Sequence, residues 1–458
     1  MIGSALQRGI SGGQLKRVNI ALALITRPRV IYLDEPTSGL DSLMANEISA
    51  VLRSLARDGR TVISTIHSPS SFAFSQFDDL IMLQSGRLIY AGARAAVSDY
   101  FESTLNLQYD KTSSVPEWLV EVTCGRNSTL LPSKISHHQS AEQLRESYTA
   151  AAVCKQKTAE RLTLERDSND SVHAKPMAAP SQLRALKTLL QYRMLTHYKS
   201  GQFLGPRIGD KIFMATLILS LYWGIGNNTD LQSIQSTAAL LYFVITLCGY
   251  GAAAFVPSIT LERPLYYREL ADGCYSPMTY YAFKFIEEAV LAILTSLAFA
   301  LIVFFACSLQ GSFAAFWLVY YVTTMTGICL AYGVAAIVPT MEAANALLPA
   351  YVTVCMYFGG LFLLFDKIPV YWEWFSWTSF LRYSWGAMMN NQFRDSSVGN
   401  ITGFANSDGR LVDVLEFYAI EGPVMGSFWA CTGFLAMLTL SFAMCGACSL
   451  KHMRHSRR

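Results

Sequence analysis

The stretch RGISGGQLKRVNIALALITRPRVIYLDEPTSGLDS, Arg8 to Ser42, decides how the first part of this chain folds. Val30 to Leu33 is a short apolar run that closes on Asp34 and Glu35. That is the pattern of a buried parallel strand presenting two carboxylates at its C-terminal edge, where ligands bind in open α/β sheets. Upstream, Ser11, Gly12, Gly13 and Gln14 precede the helical pattern Leu15 to Ile25. The serine caps that helix, and the two glycines let backbone N–H groups approach a phosphate at the positive end of the helix dipole. Downstream, Pro36 opens a turn through Ser38 to Ser42, and Thr61 to His67 is a second β-branched run ending in histidine. A histidine there contacts a terminal phosphate or positions water; taken alone it reads as a satisfied loop residue.

Outward from this stretch the solvent changes. The chain has 458 residues, 52% of them hydrophobic, and a net charge of +3. Charges recur every few positions up to about residue 200, whereas Ile212 to Leu450 is dominated by apolar runs. A membrane helix needs about 20 mostly apolar residues. Six runs meet this: roughly 208–226, 237–258, 281–306, 313–337, 346–365 and 427–449. Six crossings place both ends on one side, together with Lys199, Arg207, Lys211, Arg263, Arg268 and the basic C-terminus, so that side is expected to be cytosol. The N-terminus shows no secretory leader pattern. Seven of the ten cysteines lie in or beside the apolar runs, which fits a reducing compartment for the rest. Cys445 and Cys448 have the spacing of a redox or metal pair, but at a membrane-helix end without a partner pair they read as helix packing or lipidation.

Four linked motifs, SGGQ, an apolar strand ending in Asp-Glu, SGLD and a strand-end histidine, resemble the second half of an ABC-transporter nucleotide-binding domain. RGISGGQLKRVNIAL, DEPTSGLDS, GRTVISTIHSPSS, FDDLIMLQSGRLIYAG, LERPLYYRELADGCYSP and IPVYWEWFSWTSFLRYSWGAMMNNQF narrow the resemblance to the G subfamily of half-transporters, over nearly the whole chain. The resemblance implies a partial α/β P-loop ATPase domain followed by an all-α six-helix transmembrane domain. It implies ATP and Mg²⁺ as cofactors, Asp34 as the Mg²⁺ holder, and Glu35 and His67 as catalytic residues. Ser11, Gly12, Gly13, Gln14 and Asp41 then face ATP, mostly across a dimer. Ser68 stands where the family usually has glutamine.

The boundaries expected are 1–125 for the ATPase part, 126–180 for a linker, 181–200 for an amphipathic interfacial helix and 201–458 for the membrane domain, with a long outer loop at 366–426. The interfacial helix reads equally as a solvated helix packed on the ATPase part. No Gly-Lys pair occurs in the sequence, so a Walker A loop is missing. The reading is therefore an N-terminally incomplete half-transporter, with two alternatives: a short partner subunit that lends its signature motif, or a non-hydrolytic membrane protein.

By the same resemblance, Glu262, Arg263, Arg268 and Glu269 form a coupling loop, which otherwise reads as a basic anchor. Tyr250 falls where the family stacks an aromatic on flat lipophilic compounds, and Leu361 with Phe362 falls at an apolar plug. Such residues otherwise read as packing. No span centre carries an acid or base, which argues against ion-coupled transport. Asn227 and Asn400 begin sequons on the expected outer side. The partners implied are a second half-transporter, membrane lipids and a lipophilic small molecule exported across the plasma membrane or an internal membrane; no nucleic acid is expected.

Overall fold

The computed structural model describes residues 11–25, 27–105, 109, 114–124, 141–167, 180–394, 403–405 and 410–453. The chain divides into two compact units, residues 1–174 and 175–458.

In the first unit, α1 (Gly12–Leu24), β1 (Val30–Asp34), α2 (Ser42–Arg57) and β2 (Thr61–Thr65) form one half. β1 and β2 pair in parallel, in a register that runs from Val30↔Thr61 to Asp34↔Thr65, with α2 as the crossover that a parallel pair requires. Ile20, Ile48 and Leu52 are buried between helices and strands because α2 keeps its apolar residues on one face. The strand is buried on that face only. Ile31 points into the core, but Tyr32 on the opposite face is 75% exposed, where the continuous apolar run led us to expect burial on both faces.

The second half of this unit holds α3 (Ser71–Ser75), the antiparallel pair β3 (Asp79–Gln84) and β4 (Arg87–Ala93), then α4 (Val97–Leu105), α5 (Val115–Cys124), α6 (Ala141–Ala150) and α7 (Ala152–Asp167). Its core is aromatic, with Tyr90, Tyr100, Phe101 and Trp118 packed mostly edge-on or tilted. Leu144 and Tyr148 of α6 are buried in the same cluster, and the Tyr148 hydroxyl donates to the Ala91 carbonyl at 3.0 Å. Residues 141–150 thus pack with β4 although their polar composition reads as linker; two large apolar side chains one turn apart suffice to anchor a charged helix.

In the second unit, α8 (Gln182–Thr188) runs through a π-helical turn (Leu189–Met194) into α9 (Leu195–Tyr198), followed by α10 (Gly201–Leu221) and α11 (Leu231–Gly251). Short helices α12 (Pro257–Thr260) and α13 (Arg263–Ala271) lead to the long α14 (Pro277–Ala306), α15 (Phe313–Ile337) and α16 (Met341–Tyr357). The aromatic run then folds as α17 (Val370–Thr378) and α18 (Phe380–Phe393). A two-strand hairpin β5/β6 (Phe404–Ala405, Leu411–Val412) and the turns α19 (Val414–Phe417) and α20 (Gly422–Met425) precede α21 (Phe428–His452).

Among the described residues four helices are long and apolar enough to cross a membrane: Leu231–Thr260, Pro277–Ala306, Phe313–Ile337 and Phe428–His452. The other two expected spans form helices but fall short. α10 begins earlier than expected and carries Arg207, Asp210 and Lys211. α16 stops after 17 residues, where Gly360 takes a φ of +104° against the Phe365 ring and the chain turns away. α18 is buried along nearly its whole length, packed on α11, α15 and α21.

Candidate functional site

The two carboxylates at the end of β1 are set by the neighbouring strand. The Thr65 hydroxyl donates to Asp34 Oδ1 at 2.6 Å, and the Glu35 N–H donates to Thr65 Oγ1 at 2.9 Å. One threonine thus fixes both, and it can do so because the parallel register places Thr65 opposite Asp34. Glu35 itself takes a φ of +43°, a left-handed conformation that non-glycine residues rarely adopt, so the chain leaves the strand sharply and both acids stay exposed. Lys16 Nζ of α1 donates to the Glu35 carbonyl at 3.2 Å, tying the signature helix to this edge. The turn that follows closes through Ser38 N–H to Glu35 O, and Gly39 supplies the φ of +74° it needs.

Ser11 caps α1 in a reciprocal box: its hydroxyl accepts from the Gln14 N–H, and Gln14 Oε1 accepts from the Ser11 N–H at 2.9 Å. The two glycines differ. A Cβ on Gly13 would stand 2.3 Å from Met44 Cε, so Gly13 is a packing glycine that lets α1 approach α2, whereas Gly12 meets Leu40 only at 3.5 Å. Asp41 caps α2, accepting from the Met44 N–H at 2.9 Å. His67, two residues beyond Thr65 on the same edge, is exposed and its Nδ1 lies 2.9 Å from the Ser68 hydroxyl.

In the second unit the loop acids meet side chains from three other elements. Glu262 accepts from Lys284 Nζ at 2.7 Å, Arg193 Nη2 at 2.9 Å and the Tyr280 hydroxyl at 3.2 Å, and His197 Nε2 lies 3.5 Å away. Burial opposes its charge, but Lys284 and Arg193 outweigh that and hold its carboxyl below the usual range. Arg193 also reaches Glu269 at 2.9 Å, and Glu269 accepts from the Tyr275 hydroxyl. Arg263, beside Glu262 in sequence, faces elsewhere: its guanidinium donates to the carbonyls of Pro339 and Val338, capping the C-terminal end of α15. Arg268 is exposed. The structure therefore joins Glu262 and Glu269 through Arg193 and separates both from Arg263.

Tyr250 bonds Thr353 of α16 at 2.7 Å through the two hydroxyls. Phe362 is exposed and lies edge-on to Tyr242 at 6.0 Å, while Leu361 is half-buried. Tyr242 and Tyr250 are eight residues apart, about 12 Å along α11, so the two halves of the expected path meet different turns of one helix. Asn227 is exposed and its side-chain oxygen accepts from Gln310; Asn400 lies outside the described residues.

Residues 184–393 match the family described as ABC-2 type transporter, and residues 2–38 match the family described as ABC transporter. Over 435 residues, 90% of this chain and 60% of the relative, the sequence is 26% identical to ABC transporter G family member 18 of Arabidopsis thaliana. It is 26% identical over 414 residues to the broad substrate specificity ATP-binding cassette transporter ABCG2 of Sus scrofa, covering 86% of this chain and 62% of that protein. ABC transporter G family member 38 of Oryza sativa subsp. japonica is 26% identical over 98% of this chain and 30% of its own length. Over most of its length the chain is similar to G-family members of the ABC transporters. It spans about 60% of the length of the first of these relatives and less than a third of the last.

Sequence reasoning found the strand-edge acids and missed what holds them. Thr65 is one threonine among several in a β-branched strand, and only the pairing register singles it out. Arg193, His197, Lys284 and Glu287 were missed as well. Their signal was present: Lys284, Glu287 and Glu288 are charged residues in an otherwise apolar helix, and such residues are costly unless paired. α14 has 30 residues and so is about 45 Å long, about 15 Å more than a hydrocarbon core, which leaves room for these three near one end.

Proposed function

We propose that this chain acts as a G-family half-transporter that works as a dimer and uses ATP to export a lipophilic small molecule or a lipid. The observation that carries the reading is the Thr65 bracket, which holds Asp34 and Glu35 side by side at the open end of a parallel strand pair, next to a capped signature helix. The residues fit a hydrated Mg²⁺. Thr65 occupies only Oδ1 of Asp34, and Mg²⁺ is commonly held by one or two carboxylates while keeping several waters. Bound Mg·ATP supplies the phosphoanhydride whose hydrolysis releases the energy for transport. Asp34 would hold the ion, and Glu35 would orient the attacking water and accept its proton, with His67 at the same edge positioning it. Ser11 to Gln14 and Asp41 would face the nucleotide of the second subunit, and the phosphate-cradling lysine loop would come from outside the motifs found here.

In this reading the unit of residues 1–174 is cytosolic, the unit of 175–458 is multi-pass in the plasma membrane or an internal membrane, and the Glu262 cluster passes closure of the ATPase to α14. Tyr250, Leu361 and Phe362 would line the lipophilic path, and Asn227 and Asn400 would lie on the outer side.

The test is reconstitution in lipid vesicles, alone and with a complete half-transporter, scored by ATP hydrolysis and by ATP-dependent movement of a fluorescent lipophilic compound. Activity only with the second half-transporter, lost on Glu35→Gln, supports a composite site. Hydrolysis that is indifferent to Glu35→Gln in every combination would sink the assignment.

A further inference from the structure

The last helix has two unlike faces. Gly446, Ala447 and Leu450 are buried, Gly446 against Gly333 of α15 and the Tyr281 hydroxyl, while the Leu450 carbonyl accepts from the Tyr266 hydroxyl at 3.3 Å. On the opposite face Met437, Leu440, Ser441, Met444, Cys445 and Cys448 form one open, exposed stripe along the helix. Cysteines elsewhere in the membrane helices behave as packing residues: Cys248, Cys329, Cys355 and Cys431 are all buried. Cys445 and Cys448 are both exposed, one turn apart on one stripe. They sit at the end of the stripe nearest the helix C-terminus. Lys451 and His452 follow directly, so at 1.5 Å per residue Cys448 lies about 4.5 Å and Cys445 about 9 Å along the axis from the first basic side chain. In the orientation proposed above, that depth is the boundary between headgroups and acyl chains, within reach of a membrane-bound acyl donor, with the apolar stripe on one side and basic residues on the other.

We propose that Cys445 and Cys448 are S-acylated by a fatty acyl thioester and that the attached chains lie beside the exposed Met437–Met444 stripe. The cysteine sulfur attacks the thioester carbonyl carbon, a new carbon–sulfur bond forms as the bond to the carrier sulfur breaks, and the thiol proton ends on the carrier; no oxidant or reductant is needed. The stripe fits that occupant: two nucleophilic sulfurs stand at its end, and its remaining residues are methionine and leucine with one serine. Juxtamembrane cysteines are ordinary acceptors of this modification. The inference rests on the orientation proposed above, with the end of α21 facing cytosol.

The experiment uses the full chain, with a C-terminal epitope, in eukaryotic cells. Thioesters are exchanged with hydroxylamine for a polyethylene-glycol maleimide after free thiols are blocked, and each acylated cysteine adds one mass step. The expected result is two hydroxylamine-dependent steps that fall to one in Cys445→Ser and in Cys448→Ser and to none in the double variant, with feeding of alkynyl palmitate giving the same halving and loss. A step count unchanged in the double variant, or no hydroxylamine-dependent step in the wild type, overturns the proposal. Access to the epitope only after permeabilisation, together with absent steps, would remove the acylation while leaving the transporter reading intact.

Discussion

Two pairs of adjacent carboxylates in this molecule have opposite surroundings. Asp34 and Glu35 are exposed and share a single threonine. Glu287 and Glu288 at the foot of α14 are almost wholly buried, and all four of their oxygens are matched. Arg207 grips Glu288 through Nε and Nη2 at 3.0 and 2.5 Å, the Tyr332 hydroxyl adds a third bond, and Glu287 sits between His197 at 2.6 Å and Lys284 at 3.3 Å. An acid meant to handle water and a metal must keep lone pairs open; an acid removed from water must lose none without a partner. The first pair should therefore matter to chemistry and little to stability, and the second the reverse.

The largest effect is expected at the buried pair. Arg207→Ala leaves Glu288 charged and unpaired and should cost about 3–5 kcal/mol, read as loss of folded protein and a lowered melting temperature in detergent. The double change Arg207→Met with Glu288→Leu should recover most of it; a single variant as mild as a surface substitution would break the contrast. Next comes Glu35→Gln, which should slow ATP hydrolysis by about 100-fold or more, about 2.7 kcal/mol in activation, with the melting temperature unchanged.

Gly13→Ala should cost about 1–3 kcal/mol of stability, because its new methyl group meets the Met44 side chain, and adding Met44→Ala should remove most of the penalty. Were the two changes additive, Gly13 would owe its place to something other than packing. Thr65→Val sharpens the first half of the comparison: losing one hydroxyl should slow turnover about fivefold, about 1 kcal/mol, with nucleotide affinity little altered. The smallest effect belongs to the exposed Arg17–Glu47 pair at 3.4 Å, where Arg17→Gln should change stability by less than about 0.5 kcal/mol in chemical unfolding.

What could be read in advance followed the range of each interaction. The SGGQ cap and the strand ending in Asp34 and Glu35 are local patterns, and each stands where its spacing placed it, whereas the cap that Asp41 makes on α2 came from the structure. The expected spans at 237–258, 281–306, 313–337 and 427–449 coincide with long apolar helices, since twenty apolar residues have few other ways to satisfy their backbone. The spans at 208–226 and 346–365 were drawn by hydropathy alone, which does not see the charged turn of α10 or the glycine break after α16.

The sequence by itself determined that there are two kinds of segment, that one ends a strand in adjacent acids behind a capped signature helix, and that the other is built from apolar helices; these are properties of neighbours along the chain, set by period and capping. Only the tertiary structure decided that Thr65 brackets both acids, that Gly13 serves packing against Met44, and that Arg207 meets Glu288 while Arg193 joins Glu262 to Glu269. Those partners stand 30 to 81 residues apart. No local periodicity encodes such a meeting. It is fixed by the cost of a buried charge, which is removed only once the whole bundle has closed around it.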